Sequence, residues 1–373
     1  MKQTRDRVFL EKCLALAKNG SGLVSPNPMV GAIVVKGNHI VGYGWHRAFG
    51  LAHAEVEAIK MAGAKARDAT LYVNLEPCCH YGKTPPCTDL IISSGIKKVV
   101  FSTIDPNPVV NGKSVDILKN KGVEVRYGLV ESEARRLNAS YFTFMEKKRP
   151  FISLKWAMSV DGKIADPCGM SKWITSCQAR EFQSQLRFEY DAILVGSGTV
   201  LKDNPLLDFC VPRRIKKHLA KRKKFYKIIL DSSLKISPNA MVFSNASAGV
   251  IIFIAEGVEK RKKFPENTEI IEVQRQSDGL LDVQSIIKHL YSRGIGRLFV
   301  QGGTKILTTF YNYGLFDNIY VFVGSKIIGG PSVYPPLEGK IVPMETQSGI
   351  QLEEVIKFKN DVLLVFRNVR RNN

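Results

Sequence analysis

Twice along its length the chain alternates short apolar runs of strand length with stretches of helical periodicity, and that alternation confines it to α/β architecture. In the first tract, apolar spacing predicts a helix over 5–18, ended by Asn-Gly-Ser-Gly. "MVGAIVVKGNHIVGYGWH" reads as two strands around a Gly-Asn turn. A helix over 54–63, strands at "TLYVNLE", "KKVVFST" and "VEVRYG", helices near 87–94 and over 114–121, and a closing helix over 130–145 complete a sheet flanked by helices. "KKRP" at 147–150 opposes a packed helix and predicts a linker. A chain of 373 residues exceeds what one core usually accommodates, so domains over 1–147 and 148–373 are expected.

The second tract opens with "FISLKWAMSVDGKIA". Thr175 followed three residues later by Gln178 forms a capping-box pattern ahead of a helix over 176–190. Buried strands are expected at "DAILVG", "KIILD", "GVIIFIA", "RLFVQGG", "NIYVFVG" and "VLLVFRN". Two of them run into glycine turns, "GSGT" at 196–199 and "QGGT" at 301–304, where backbone amides can approach a phosphate.

The formal charge of +20 raises the question of nucleic-acid binding. Much of the excess lies in one block, "RRIKKHLAKRKKFYK" at 213–227, which lacks the interleaved aromatics of a stacking platform. It reads as a solvated surface insertion, and phosphorylated small molecules are drawn by the same field. The opening "MKQTRDRVFLEKCLALAKNG" is charged throughout its first dozen residues, unlike a signal peptide or a membrane helix, so a cytoplasmic protein without a membrane partner is expected. Seven cysteines in such a chain argue for reduced thiols, with metal ligation the leading use for any that cluster.

His53, Cys78 and Cys87 form such a cluster in sequence, within "HAEVEAIKMAG" and "PCCHYGKTPPC". One imidazole and two thiolates make the three-ligand set of a catalytic zinc ion, leaving a fourth position for water. Glu55, two residues beyond His53 at the expected start of a helix, can sit beside the metal and carry protons from water to a leaving amine. Cys79 and His80 are also near and could compete as ligands, although Cys79 follows Cys78 directly and would point elsewhere.

This pattern resembles the zinc nucleobase deaminases, with a longer gap between the cysteines. "SPNPMVGAIVV", "GYGWHRAFGLAHAEVEAI", "LEPCCHYGKTPPCTDLI" and "DPNPVVNGKSVDILKNKGVEV" look like the deaminase half of the bifunctional riboflavin-biosynthesis deaminase/reductase family. "SLKWAMSVDGKIA", "SKWITS", "DAILVGSGTVLKDNPLL", "IILD" and "QGG" look like its reductase half, in the family's order. The resemblance implies a cytidine-deaminase-like α/β/α sandwich followed by a dihydrofolate-reductase-like α/β domain. The absence of a GxGxxG fingerprint fits the second. Such enzymes hydrolyse the 2-amino group of 2,5-diamino-6-ribosylamino-4(3H)-pyrimidinone 5′-phosphate, then use NADPH to reduce the ribosyl group to ribityl.

By the same resemblance His53, Cys78 and Cys87 hold one Zn2+ and Glu55 shuttles protons. Asn27 would meet the pyrimidine edge, and His46, Lys83 and Asn107 the ribose phosphate. NADPH would lie against Met158, Trp173, Thr175, Thr199, Asp203, Ser232 and Gly303. Lys155, Ser171, Arg187, Leu207 and Gln301 fall where the family touches the reductase substrate. Two positions depart from the family: Cys210 stands in place of an arginine and Gln301 in place of a glutamate. They raise the alternative of a deaminase whose second domain has lost activity; the charge raises that of a nucleic-acid base deaminase, for which a reductase-like domain has no use. A homo-oligomer, dimer or tetramer, with no nucleic-acid partner is expected.

Overall fold

The computed structural model describes residues 2–82, 85–211, 222–276, 278–330, 334–339 and 349–369. The chain divides into two compact units, one built on Met1–Arg149 and the other opening at Pro150.

The first unit is a five-stranded sheet in the order β2-β1-β3-β4-β5. Its strands are β1 (Gly31–Lys36), β2 (His39–Trp45), β3 (Thr70–Val73), β4 (Lys98–Phe101) and β5 (Glu124–Tyr127). β1 runs antiparallel to β2 and β3, whereas β3, β4 and β5 are parallel. The helices are α1 (Lys2–Ala17), α2 (Ala54–Ala62), α3 (Cys87–Ser93), α4 (Lys113–Asn120), α5 (Glu131–Leu137) and α6 (Ala139–Glu146). α1 and α5 cover one face through Phe9, Leu10 and Ala134. α2, α3 and α4 cover the other through Ala58, Ile91 and Leu118, giving three layers.

Glycine sets the depth of α2. A Cβ at Gly42 would lie 2.1 Å from the Ala58 carbonyl oxygen, and one at Gly44 would lie 2.4 Å from Glu57 Cβ. The helix therefore rests directly on the backbone of β2, which fixes where its first turn begins. The single closing helix expected over 130–145 is two helices instead. Buried Asn138 stands at the break, where its Oδ1 accepts the Met29 amide at 2.7 Å and its Nδ2 donates to the Met29 carbonyl at 3.0 Å. A side chain that binds a neighbouring backbone this way diverts the chain from an uninterrupted helix.

The second unit carries a nine-stranded sheet in the order β10-β9-β8-β7-β11-β6-β12-β14-β13. In chain order its elements are β6 (Phe151–Ser159), α7 (Cys177–Arg187), β7 (Ala192–Gly196), α8 (Ser197–Asp203), β8 (Tyr226–Leu230), β9 (Gly249–Ala255) and β10 (Thr268–Val273). They continue with α9 (Val283–Ser292), β11 (Arg297–Gln301), α10 (Thr304–Asn312), β12 (Asn318–Gly324), β13 (Ile350–Lys357) and β14 (Val362–Asn368). β6 through β12 are mutually parallel, so their C-terminal ends share one edge; β14 is antiparallel to both neighbours.

Three local expectations need correction here. Ser176, rather than Thr175, caps α7, its hydroxyl accepting the Ala179 amide at 3.4 Å. β10 and β13 were not foreseen; both are edge strands, β10 burying only Val273 fully with Ile270 and Ile271 half-buried, and β13 exposed at nearly every position, so neither shows a clean alternation. The basic block is not wholly a solvated insertion either. Residues 213–221 lie outside the described part, but Tyr226 and Lys227 open β8, and Lys227 is fully buried. No helix among the described residues is long and apolar enough to cross a membrane.

Candidate active sites

His53 caps α2 in extended conformation, and Cys87 is the first residue of α3. Their backbones bring the His53 Nδ1 to 3.5 Å from Cys78 Sγ and 3.3 Å from Cys87 Sγ. All three candidate donor atoms lie within 4.8 Å of one another. The Cys87 amide donates to Cys78 Sγ at 3.3 Å, and the helix start adds its positive end. Cys79 turns away, its Sγ 3.9 Å from the Val109 carbonyl.

The electrostatics of this trio call for a cation. The hydrogen bond with Cys78 holds His53 up at about 9, against its burial. Cys78 is drawn down to about 4, first by its bond with Cys87 and also by His53. Cys87 is pushed well above the usual thiol range by that same bond and by burial. Metal ligation takes both thiols as thiolates and the imidazole as neutral, a state that a cation held among the three donors favours. Such a donor set fits zinc. Glu55 is 3% exposed in the first turn of α2, and its carboxylate reaches the Cys87 thiol. Burial pushes its carboxyl upward, as a group that must both take and give a proton requires.

A cleft of about 270 Å³ opens over His53 and Cys78, lined among others by Asn27, His46, Glu55, His80, Asp105 and Asn107. His46 does not offer the cationic contact expected of a phosphate ligand. It is 3% exposed, its Nδ1 donates to the Ala52 carbonyl at 3.1 Å, and its Nε2 lies 3.2 Å from Asn27 Nδ2. Burial lowers its pKa, so the neutral ring accepts from Asn27, which itself lines the cleft. Lys83 lies outside the described residues. Asn107 stays in the cleft wall, its amide donating to Asp105 Oδ1 at 2.8 Å.

Sequence reasoning missed two groups here. Glu76 is buried, and its carboxylate accepts the amides of Asp105, Gly112 and Ser114 at 3.1, 2.9 and 3.2 Å and the Ser114 hydroxyl at 2.7 Å. It thereby fastens the 105–114 loop across the cleft. Asp105 accepts the Tyr141 hydroxyl at 2.8 Å, and burial raises its pKa to about 6. The Asp-Pro dipeptide was the available sign of a turn there; nothing local marked Glu76.

In the second unit the expected residues gather at the common edge of the parallel strands. Met158 is next to last in β6, Thr199 follows β7, Ser232 follows β8 and Gly303 follows β11. Ligands of open parallel sheets bind at that edge. A Cβ built on Gly198 or Gly303 would meet no atom within 4 Å, so one glycine of each turn borders open space where a phosphate could approach. Ser171 Oγ donates to the two Asp203 carboxylate oxygens at 3.3 and 3.2 Å. Trp173 is 58% exposed with Arg180 stacked 4.2 Å from its ring centroid, which rules out core packing as its role. Thr175 is buried, its carbonyl taking Arg180.

Lys155 and Gln301 are register partners on β6 and β11, and Arg187 NH2 donates to Gln301 Oε1 at 3.3 Å. Gln301 also accepts from Gln183 at 3.0 Å. Leu207 departs from expectation: at φ +57° its side chain turns inward to the core beside Phe225 and Val242, 2% exposed, so a side-chain contact with substrate is excluded. Cys210 bonds to Ser184 through both backbone and thiol.

A His-Cys-Cys trio with a buried glutamate on one unit, and glycine turns on a parallel-sheet edge on the other, are the sites that a two-domain deaminase and reductase needs. Residues 3–103 match the cytidine and deoxycytidylate deaminase zinc-binding region, and residues 150–364 match the RibD C-terminal domain. The riboflavin biosynthesis protein RibD of Aquifex aeolicus is 44% identical over 324 residues, 87% of this chain and 88% of that one. That of Bacillus amyloliquefaciens is 38% identical over 96% of this chain and 95% of its own. The solved structure of a diaminohydroxyphosphoribosylaminopyrimidine deaminase/5-amino-6-(5-phosphoribosylamino)uracil reductase from Thermotoga maritima is 38% identical at TM-score 0.84, covering 99% of this chain and 100% of that one. Acinetobacter baumannii RibD has a TM-score of 0.88 at 31% identity, with the same coverage. The chain belongs to the RibD family of bifunctional riboflavin-biosynthesis enzymes.

Proposed function

We infer that the first unit converts 2,5-diamino-6-ribosylamino-4(3H)-pyrimidinone 5′-phosphate to its deaminated product, releasing ammonia, and that the second reduces the ribosyl group to ribityl. Zn2+ and NADPH are the cofactors. The observation that carries the reading is the convergence of His53, Cys78 and Cys87 beside buried Glu55 at the floor of a cleft.

His53 Nδ1 and the two thiolates would hold the metal, which when bound activates water as a nucleophile. Asn27, oriented by His46, offers its amide oxygen to the pyrimidine edge. Glu55 takes a proton from the attacking water and delivers it to the departing amino group. A carbon–oxygen bond forms, the carbon–nitrogen bond breaks, and ammonia leaves. Asn107 and the loop held by Glu76 close the cleft over the ribose phosphate.

NADPH supplies the hydride in the second unit. The turns at 196–199 and 301–304, with Thr199, Ser232 and Gly303, cradle its phosphates, and Met158, Trp173, Thr175 and Asp203 bound its remaining surface. Lys155, Ser171 and Arg187 contact the phosphorylated pyrimidine. Gln301, although neutral, keeps the bond to Arg187 that orients the guanidinium. The enzyme acts in the cytoplasm as a homo-oligomer, dimer or tetramer; light scattering on purified protein tests the assembly.

Glu55→Gln tests the proton shuttle. It should lower the deamination rate by about 10²–10⁴-fold while zinc content and NADPH-dependent reduction stay unchanged. A variant that deaminates at the parental rate would overturn the assignment.

A further inference from the structure

Lys227 is a lysine with no solvent-exposed surface, on β8, third from one edge of the nine-stranded sheet. Its Nζ lies 2.7 Å from Asp208 Oδ1 and donates to the Val242 carbonyl at 3.1 Å. Asn245 Nδ2 donates to the same Asp208 oxygen at 3.2 Å. Pairing offsets much of the cost of burying an ammonium, and this one is paired with a residue of the 204–211 segment rather than with its own sheet.

What that segment does next gives the pair a consequence. The Asp208 carbonyl accepts Arg187 NH1 at 2.9 Å, while Arg187 NH2 is held by Gln301 and, among the described residues, Arg187 Nε has no hydrogen-bond partner. On either side of Asp208, Leu207 and Phe209 are packed inward, Phe209 against Phe188 and Phe225. Arg187 is thus fixed between the sheet, through Gln301, and the 204–211 segment, through Asp208. The position of the second support depends on where Lys227 holds Asp208.

We propose that Lys227 is a positioning residue for the reductase site, which sets the guanidinium of Arg187 toward the phosphorylated substrate by fixing Asp208 from beneath the segment. The inference rests on the reading of Arg187 as a substrate contact.

The test uses full-length enzyme and Lys227→Met, which removes the ammonium but keeps an apolar stem in the sheet. The Michaelis constant for the deaminated pyrimidine phosphate should rise roughly tenfold, with that for NADPH and the deamination rate unchanged. The double variant Lys227→Met/Asp208→Asn should match the single one, because the two residues act as one unit. It also provides the same measurement, free of an unpaired charge, should the single variant fail to fold. An unchanged constant for the pyrimidine in a folded variant overturns the proposal. So does a loss spread equally over turnover, both substrates and melting temperature, which marks a structural role only. Parental enzyme that fails to reduce at all overturns the functional reading itself and is seen before any variant is compared.

Discussion

Burial of Lys155 beside Arg187 leaves a cation that, among the described residues, has no ion pair. Loss of hydration first, and Arg187 second, hold its pKa down at about 7. Because the folded value lies below that of free lysine, the fold disfavours the charged form. The cost is full below about pH 7, where the side chain is charged in both folded and unfolded chains, and is relieved as pH rises toward the ordinary lysine range. Lys155→Met should therefore raise the melting temperature most at about pH 6 and progressively less toward pH 10, at about 2–4 °C for each kcal/mol relieved. Reduction should be lost at every pH. Differential scanning calorimetry across that range checks this; a gain independent of pH would contradict it. The neutral Gln301 explains why the charge is unrelieved: its amide oxygen serves Arg187 as a hydrogen-bond acceptor without supplying a negative charge.

At the scale of elements, the zinc trio depends on helix α2 lying directly against β2. Gly42→Ala places a methyl 2.1 Å from the Ala58 carbonyl, which the helix can accommodate only by moving. The change should cost about 1–3 kcal/mol and lower zinc occupancy with deamination, readable by thermal melts and metal analysis of the same sample. Unchanged zinc content would mean the helix is not what places His53. Most strands were legible as short unbroken apolar runs, because both faces of the sheets are covered, and the helices named were legible from the period of their one buried face. The ligand trio was legible because it comes from two short segments of distinctive chemistry. Helices α9 and α10 were not foreseen although their buried residues recur at helical spacing, whereas the other features that escaped lack a local signature. β13 has no buried face, the break at Asn138 depends on the distant Met29, and Glu76 acquires its role from amides 29 to 38 residues away. Lys227 was hidden differently: it sits in a run of basic residues, and only its place in β8 separates it from a solvated lysine.

For the whole molecule, the two chemistries have separate requirements in separate units of one chain. Removing zinc with a chelator should abolish deamination, while reduction of the already deaminated intermediate continues at its normal rate; loss of both would show that the metal also supports the second unit. The account as a whole is tested most directly by mass spectrometry of the diaminopyrimidine ribosyl phosphate after incubation with zinc-loaded enzyme. Without NADPH the substrate should gain about one mass unit as an amino group is replaced by oxygen, and with NADPH about two more as the ribosyl group is reduced. A first gain without the second would contradict the assignment of Lys155, Arg187 and Gln301 to a working reductase site, and no mass change at all would contradict the central claim.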